Sequence, residues 1–119
     1  MKRQQPERKL QTQVAKYLMF ALPPDAFFTA IPGGNGRVTT TPGYRSGTPD
    51  MLVIYGGRAT FLELKAPKGV ISDMQEQVEI ELDQAGAPVY FCRNVEDAER
   101  ALRFVKIPLR ASVSERRAA

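Results

Sequence analysis

The sequence contains no histidine and no tryptophan, and Cys92 is its only cysteine. The absence of histidine excludes Ser-His-Asp and Cys-His nucleophilic centres and also His-ligated zinc. One cysteine can form no internal disulfide, which fits a reducing compartment. Because Cys92 lies in the apolar run of residues 89–92, we expect a buried structural thiol and not a reactive one.

Long hydrophobic runs are also absent. The longest apolar runs are far shorter than the roughly 20 residues that a membrane-spanning helix requires, and no signal peptide is visible. We therefore expect a cytoplasmic protein that does not associate with a membrane. The length of 119 residues predicts one domain with a single core.

The net charge of +4 is unevenly distributed along the chain. Residues 70–85 contain five acidic residues and no basic one, whereas the rest of the chain has 17 basic and 8 acidic residues. This asymmetry predicts one acidic helix face and a basic surface elsewhere, as expected for a polyanionic partner. Charge alone favours a nucleic acid partner only slightly over a simply soluble, basic protein.

Hydrophobic spacing and turn residues predict an α/β domain of mixed sheet and helices, in the order αβββαβα. The predicted elements are helices at 6–22, 72–85 and 95–105 and strands at 27–31, 50–55, 58–65 and 88–92. Both faces of the central hairpin are apolar, so we expect helices on both sides of the sheet. The domain is predicted to span residues 1–105, followed by a basic, flexible tail at 106–119.

The central hairpin brings two acidic residues together. If Gly56 and Gly57 form a tight turn, the numbers of paired residues sum to 113, and Asp50 lies opposite Glu63. Lys65 then points to the same side of the sheet as Glu63. Two carboxylates roughly 4.5–5.5 Å apart repel each other unless a positive charge lies between them. The hairpin therefore predicts a site for a divalent cation with an adjacent ammonium group.

Each of these acids also has an ordinary structural interpretation. Asp50 follows a proline and could be a surface turn residue. Glu63 and Lys65 could form a solvated salt bridge along the strand, which would stabilise the protein by only about 0–1 kcal/mol. Neither interpretation explains why two acids face each other at the end of an apolar surface, so we favour a metal site.

Two further polar residues have a structural alternative of similar strength. Ser72-x-x-Gln75 is a capping box in which Gln75 bonds back to the Ser72 amide. Gln75 also shares a helix face with apolar residues and so points inward, which favours a role in the site. Glu7 lies on the buried side of the first helix, but an acid in a first turn also interacts favourably with the helix dipole.

Four features together resemble the virus-type replication-repair nuclease branch (VRR-NUC) of the PD-(D/E)xK nucleases. The resemblance covers about residues 5–105. The features are Gly47-Thr48-Pro49-Asp50 before a hydrophobic strand, Glu63-Leu64-Lys65 ending the next strand, Ser72-Asp73-Met74-Gln75 opening the following helix, and Glu7 with Gln11 on the first helix.

The resemblance implies a restriction-endonuclease-like fold and metal-dependent cleavage of DNA. It assigns Asp50, Glu63 and the Leu64 carbonyl as ligands of Mg²⁺, for which Mn²⁺ can substitute. Lys65 would orient the attacking water or neutralise developing charge, and Gln75 would position the nucleophile. Glu7 would reach a second ion or a metal-bound water. Small members of the family resemble phage-encoded enzymes that cut branched or four-way DNA as homodimers, which would place this chain in a bacterial host cytoplasm.

The predicted loop of residues 32–48 is rich in glycine. Gly33-Gly34-Asn35-Gly36 lacks the Lys-Ser/Thr pair of a P-loop, so we interpret it as a flexible loop and not a phosphate cradle. Arg37, Arg45 and Lys68 are candidate DNA contacts, although such loop arginines are often simply solvated. Two other functions remain open: a nucleic-acid-binding module that keeps the fold without cutting, and an unrelated metal-binding or small-molecule phosphatase domain.

Overall fold

The seven predicted elements are present in the predicted order in a computed structural model, which describes residues 5–32 and 41–113. The three helices are α1 (Gln5–Ala21), α2 (Asp73–Gln84) and α3 (Val95–Phe104). The four strands are β1 (Phe27–Ala30), β2 (Met51–Tyr55), β3 (Arg58–Leu64) and β4 (Val89–Cys92). The α/β class and the order αβββαβα are therefore confirmed. Among the described residues, no helix has the length and apolar character needed to cross a membrane.

The strands form one mixed sheet in the order β1-β2-β3-β4. The β1–β2 and β2–β3 pairs are antiparallel, and β4 runs parallel to β3. Gly56 and Gly57, with φ of +59° and +77°, form the turn between β2 and β3. Both values are positive, as a type I′ hairpin turn requires. The predicted register is confirmed from the Tyr55–Arg58 pair to the Met51–Leu62 pair.

Helices α1 and α3 cover one face of the sheet and form the main core with it. The stripe that the sequence predicted on α1, Leu10, Val14, Leu18 and Ala21, is buried. Tyr17 is fully buried as well, and its hydroxyl donates a hydrogen bond to the Ala111 carbonyl at 2.9 Å. This face is closed because alternate residues of the strands supply it with apolar side chains.

The expectation that helices flank the sheet is confirmed, although the face opposite α1 and α3 is only partly covered. Helix α2 contacts β4 and buries Val78. Toward the opposite edge of the sheet, the cross-strand partners Phe27 on β1 and Ile54 on β2 remain 57% and 37% exposed. A single helix is too narrow to cover four strands, because a helix is about 10 Å wide and strands lie about 4.8 Å apart.

The segment after α3 also differs from the sequence prediction. Residues 106–113 are not a loose tail, because Ile107, Ala111 and Val113 are buried in the core. The Arg110 amide donates to the Ala21 carbonyl at 2.7 Å, and the Val113 amide donates to Glu99 at 3.0 Å. The alternation of apolar residues with prolines and arginines hid this packing. The remaining tail residues, 114–119, lie outside the described residues.

Candidate active site at the open end of the hairpin

Asp50, Glu63 and Lys65 are all buried, with 7%, 5% and 8% of their surface exposed. Asp50 immediately precedes β2, Glu63 is the second-last residue of β3, and Lys65 directly follows that strand. The observed register, continued by one residue, places Asp50 opposite Glu63. Charged side chains are rarely buried at this level unless they are paired or bind a metal. The solvated salt bridge between Glu63 and Lys65 is therefore excluded by burial.

The Asp50 carboxylate is held by the strand opposite. Oδ2 of Asp50 accepts a hydrogen bond from the Leu64 amide at 2.7 Å. The backbone carbonyl of Asp50 accepts a second one from the Ile31 amide, also at 2.7 Å. The first bond joins the side chain of one strand to the backbone of the other at the end of the ladder. It fixes the peptide group between Glu63 and Leu64, which directly precedes the Leu64 carbonyl, the third ligand implied by the resemblance.

Gln75 combines the two roles that the sequence presented as alternatives. Its Oε1 accepts from the Ser72 amide at 2.9 Å, and the Ser72 hydroxyl accepts from the Gln75 amide at 3.1 Å, which completes the capping box. Its Nε2 donates to Oε2 of Glu63 at 2.9 Å. The two partners fix the orientation of the Gln75 side-chain amide, because the Ser72 N–H must face its oxygen and the Glu63 carboxylate must face its NH₂ group. Oε1 of Glu63 is buried and accepts no hydrogen bond from the described residues.

The loop before Asp50 is packed against the start of α2. Gly47 has a φ of +89°, and a Cβ atom added there would lie 2.6 Å from the Met74 carbonyl oxygen. Only glycine allows this backbone conformation and this close approach together. The contact brings the residues that precede Asp50 beside the helix turn that carries Gln75.

Arg45 binds the acidic helix in this structure. Its guanidinium donates two hydrogen bonds of 3.0 Å to the carboxylate of Glu81, a bidentate pair. The bond from Arg45 holds the pKa of Glu81 below its usual range, with a further hydrogen bond from Gln77. Because the side chain of Arg45 is still 58% exposed, its assignment as a DNA contact stays a prediction. Arg37, the other loop candidate, lies with Gly33-Gly34-Asn35-Gly36 outside the described residues.

Glu7 contacts the turn that follows Lys65, and Lys68 is part of that turn. Oε2 of Glu7 accepts from the Ala66 amide at 3.5 Å, so the first turn of α1 reaches the end of β3. Lys68 is exposed on this turn. In the described parts of the chain, no three Asp, Glu, Cys or His side chains are close enough to hold one ion together. The roles of Glu7 and Lys68 stay predictions.

Tyr44 is a residue that the sequence reasoning missed and that feels the charges of the candidate site. It is half-buried, and its pKa is raised by burial and then by the negative charges of Asp50 and Glu63. The phenol therefore stays protonated at neutral pH and can donate a hydrogen bond. The one signal in the sequence was an aromatic residue in a loop rich in glycine, serine and threonine, six residues before Asp50.

Arg93 is a second residue that was missed. It follows β4 directly, and the Lys65 amide donates to the carbonyl of the preceding Cys92 at 2.9 Å. Because β3 and β4 are parallel, their carboxyl ends lie at the same edge of the sheet. A search for charged residues after both parallel strands would have found Arg93. Cys92 itself is fully buried, and burial raises the pKa of its thiol to about 12, as expected for a structural cysteine.

No protein-family model, curated protein or solved structure matches this chain.

Proposed function

We propose that this protein is a metal-dependent DNA endonuclease that hydrolyses phosphodiester bonds. The observation that carries the proposal is the burial of Asp50, Glu63 and Lys65 at the ends of two paired strands. Burying charged groups is costly, and a protein that needed only stability would place apolar residues here. The likeness to VRR-NUC nucleases, based on the residues quoted above, agrees with this chemistry.

The donor set fits Mg²⁺. Asp50 and Glu63 would provide anionic oxygen ligands and Leu64 a carbonyl oxygen, the ligand types that this ion binds. Nitrogen and sulfur ligands preferred by zinc are not offered, because the chain has no histidine and its one cysteine is a buried thiol. When bound, Mg²⁺ would supply a Lewis acid for the phosphate and lower the pKa of water near it.

The side chains around this donor set have distinct tasks in the proposed reaction. Lys65 supplies a fixed positive charge that can orient water or stabilise the charge developing on the phosphate oxygens. Gln75 holds the Glu63 carboxylate in place through its Nε2 atom. The Leu64 amide does the same for Asp50. Such prior positioning matters because the donors then need no reorganisation as the reaction proceeds.

The substrate is proposed to be branched DNA, such as a four-way junction, bound by a homodimer. A two-fold dimer suits a two-fold junction. The excess of basic residues outside α2 favours contact with the phosphate backbone, and no element suited to reading base edges is apparent. A phage-type role in replication, repair or recombination in the bacterial cytoplasm is part of the same proposal and rests on the resemblance.

One assay tests the proposal. The protein is incubated with Mg²⁺ or Mn²⁺ and with linear, nicked, flap and four-way DNA, and a chelator is added to a parallel set. We expect cutting that needs the metal and is lost in Asp50→Asn and Lys65→Ala, while DNA binding is kept. Lys16→Ala, which removes an exposed lysine from α1, is the matched control and should cut normally.

The results also separate the alternatives. DNA binding without cleavage of any substrate would contradict the enzyme proposal and favour the non-catalytic binding module. Normal cutting by Lys65→Ala would show that its assigned role is wrong. Hydrolysis of small phosphate esters without DNA binding would favour a phosphatase.

A further inference from the structure

The guanidinium of Arg93 binds three backbone carbonyls of the turn that follows Lys65. Its NH1 atom lies 2.7 Å from the Ala66 oxygen, 3.0 Å from the Gly69 oxygen and 3.2 Å from the Pro67 oxygen. The side chain is half-buried at this place. Hydrogen bonds from a charged donor are stronger than those between neutral groups. One cation therefore holds the whole turn of residues 66–69.

The backbone around Lys65 is held at several points. Its own amide donates to the Cys92 carbonyl, one residue before Arg93. The next residue is bound at both of its backbone polar groups, because the Ala66 amide donates to Glu7 and the Ala66 carbonyl accepts from Arg93. A Gly69-to-Ala66 backbone bond of 2.9 Å closes the turn. Lys65 is thus the last residue before a segment that Arg93 ties to the end of β4.

We propose that Arg93 is a positioning residue that fixes Lys65 for the cleavage reaction. This inference rests on the proposed nuclease function. A lysine side chain has four rotatable bonds, and its ammonium stays at one place only if the backbone that carries it is fixed. Without Arg93, three carbonyls lose their charged donor, and the turn after Lys65 can move.

Two other roles of Arg93 give different results in the same experiment. If Arg93 bound a DNA phosphate, its removal would weaken DNA binding. It would also reduce by about one the slope of the logarithm of the binding constant against the logarithm of the salt concentration. If it served stability alone, its removal would lower the melting temperature without changing the cleavage rate of the folded protein.

The experiment compares Arg93→Ala and Arg93→Lys with wild type. Arg103→Ala is the matched control, since the Arg103 guanidinium is also bound within the protein, to the Glu99 carboxylate, but lies on α3. Single-turnover cleavage is measured at a temperature where every variant is folded, and DNA affinity is measured separately with Ca²⁺ in place of Mg²⁺. We expect Arg93→Ala to cut about 10- to 100-fold more slowly, as for other residues that orient a catalytic group.

The expected pattern has three further parts. DNA affinity stays within twofold of wild type, Arg103→Ala cuts normally, and Arg93→Lys recovers part of the rate. Lysine can recover it because an ammonium offers three protons to the three carbonyls, although its stem is shorter. A loss that appears only in DNA affinity, or only in melting temperature, would overturn the inference. Equal rates for Arg93→Ala and Arg93→Lys would also overturn it.

A readout that needs no cleavage separates this inference from the proposed function. Amide hydrogen exchange is measured by NMR in the metal-free protein, at Gly69 in the turn and at Val53 in the core. Arg93→Ala should speed exchange at Gly69 at least tenfold and shift the Lys65 amide signal, with Val53 unchanged. If wild type cuts no DNA, the nuclease proposal fails, and this measurement still decides whether Arg93 holds the turn that follows Lys65. Unchanged Gly69 and Lys65 signals would overturn that role, whatever the cutting assay shows.

Discussion

The two ends of the β2–β3 hairpin contrast sharply in composition and burial. At the turn end, Gly56, Gly57 and Arg58 are exposed, and side chains added at either glycine would meet open space. At the open end, Asp50 and Glu63 are buried, and the chain is surrounded by the start of α1, the start of α2 and the end of β4.

Under the proposed function, this difference separates an end of the hairpin that only closes the fold from an end that carries the candidate site. The turn end needs only two residues with positive φ, and two glycines supply them. The open end gathers like charges and buried polar groups, which oppose folding. A hairpin of this length could close with apolar side chains at both ends, so stability alone does not account for the polar end.

The largest expected effect is at Asp50. Asp50→Asn keeps an oxygen for the Leu64 amide but removes one of two facing negative charges. We expect cutting to fall by at least about 100-fold, a typical loss for one electrostatic group in an active site. Stability should stay equal or rise by up to about 1 kcal/mol, since like charges across strands destabilise. Urea unfolding and the cleavage assay measure the two effects.

Arg58→Ala at the turn end is the matched control for Asp50→Asn. It should change neither cutting nor stability by more than about 0.5 kcal/mol, as for most surface substitutions. A clear loss of stability in Asp50→Asn would contradict the view that the open end opposes folding.

The second effect compares two glycines with positive φ, one near each end. Gly47→Ala adds strain at φ +89° and a clash with the Met74 carbonyl, so we expect a loss of about 2–4 kcal/mol. Gly57→Ala at φ +77° meets nothing within 4 Å and should cost only about 1–2 kcal/mol. Equal losses in urea unfolding would mean that the loop does not depend on its contact with α2.

The third effect separates the two functions of Gln75. Gln75→Ala loses the acceptor for the Ser72 amide and the donor to Glu63, so stability should fall by about 0.5–2 kcal/mol and cutting should slow. Gln75→Glu can still accept from the Ser72 amide but cannot donate to Glu63. Because it also places a second carboxylate beside Glu63, we expect it to keep the cap, to lose stability through repulsion, and to slow cutting at least as much.

Ser72→Ala is the complementary control for Gln75. It removes the hydroxyl cap, at a cost of about 1 kcal/mol, and leaves the bond between Gln75 and Glu63. Cutting by Ser72→Ala should therefore match wild type at a temperature where the protein is folded. Slow cutting in this variant would show that the cap, and not the donor, serves the site.

The smallest expected effect concerns Cys92, the last residue of β4. Burial first, and then the nearby Asp97 charge, raises the pKa of the thiol to about 12, so native protein should resist a thiol reagent at pH 8 and react once unfolded. The pKa of this thiol is higher in the folded protein than in the unfolded chain, where it is near 9. The contribution of the thiol to stability is therefore complete below pH 9 and is lost as the pH rises toward 12. Between pH 7 and 8.5 this group should leave stability unchanged, and rapid labelling of native protein would contradict its burial.

Local patterns were enough for the elements and for the hairpin register. Apolar spacing located the three helices, and the Gly56-Gly57 turn fixed which residues of β2 and β3 face each other. Because side chains alternate along a strand, the same register follows from the sequence alone as far as the facing pair Asp50 and Glu63. The packing of residues 106–113 was missed, since their burial depends on contacts with α1 and α3 that lie far away in sequence.

The sequence by itself determined the candidate ligands, because they lie on one hairpin whose geometry is set by neighbouring residues. Only the tertiary structure decided what surrounds them. It showed that Gln75 bonds to both Ser72 and Glu63, that the charges of Asp50 and Glu63 raise the pKa of Tyr44, and that Arg93 binds the turn after Lys65. These contacts join residues from separate elements, and their geometry follows from how the helices and strands pack, which no local pattern encodes.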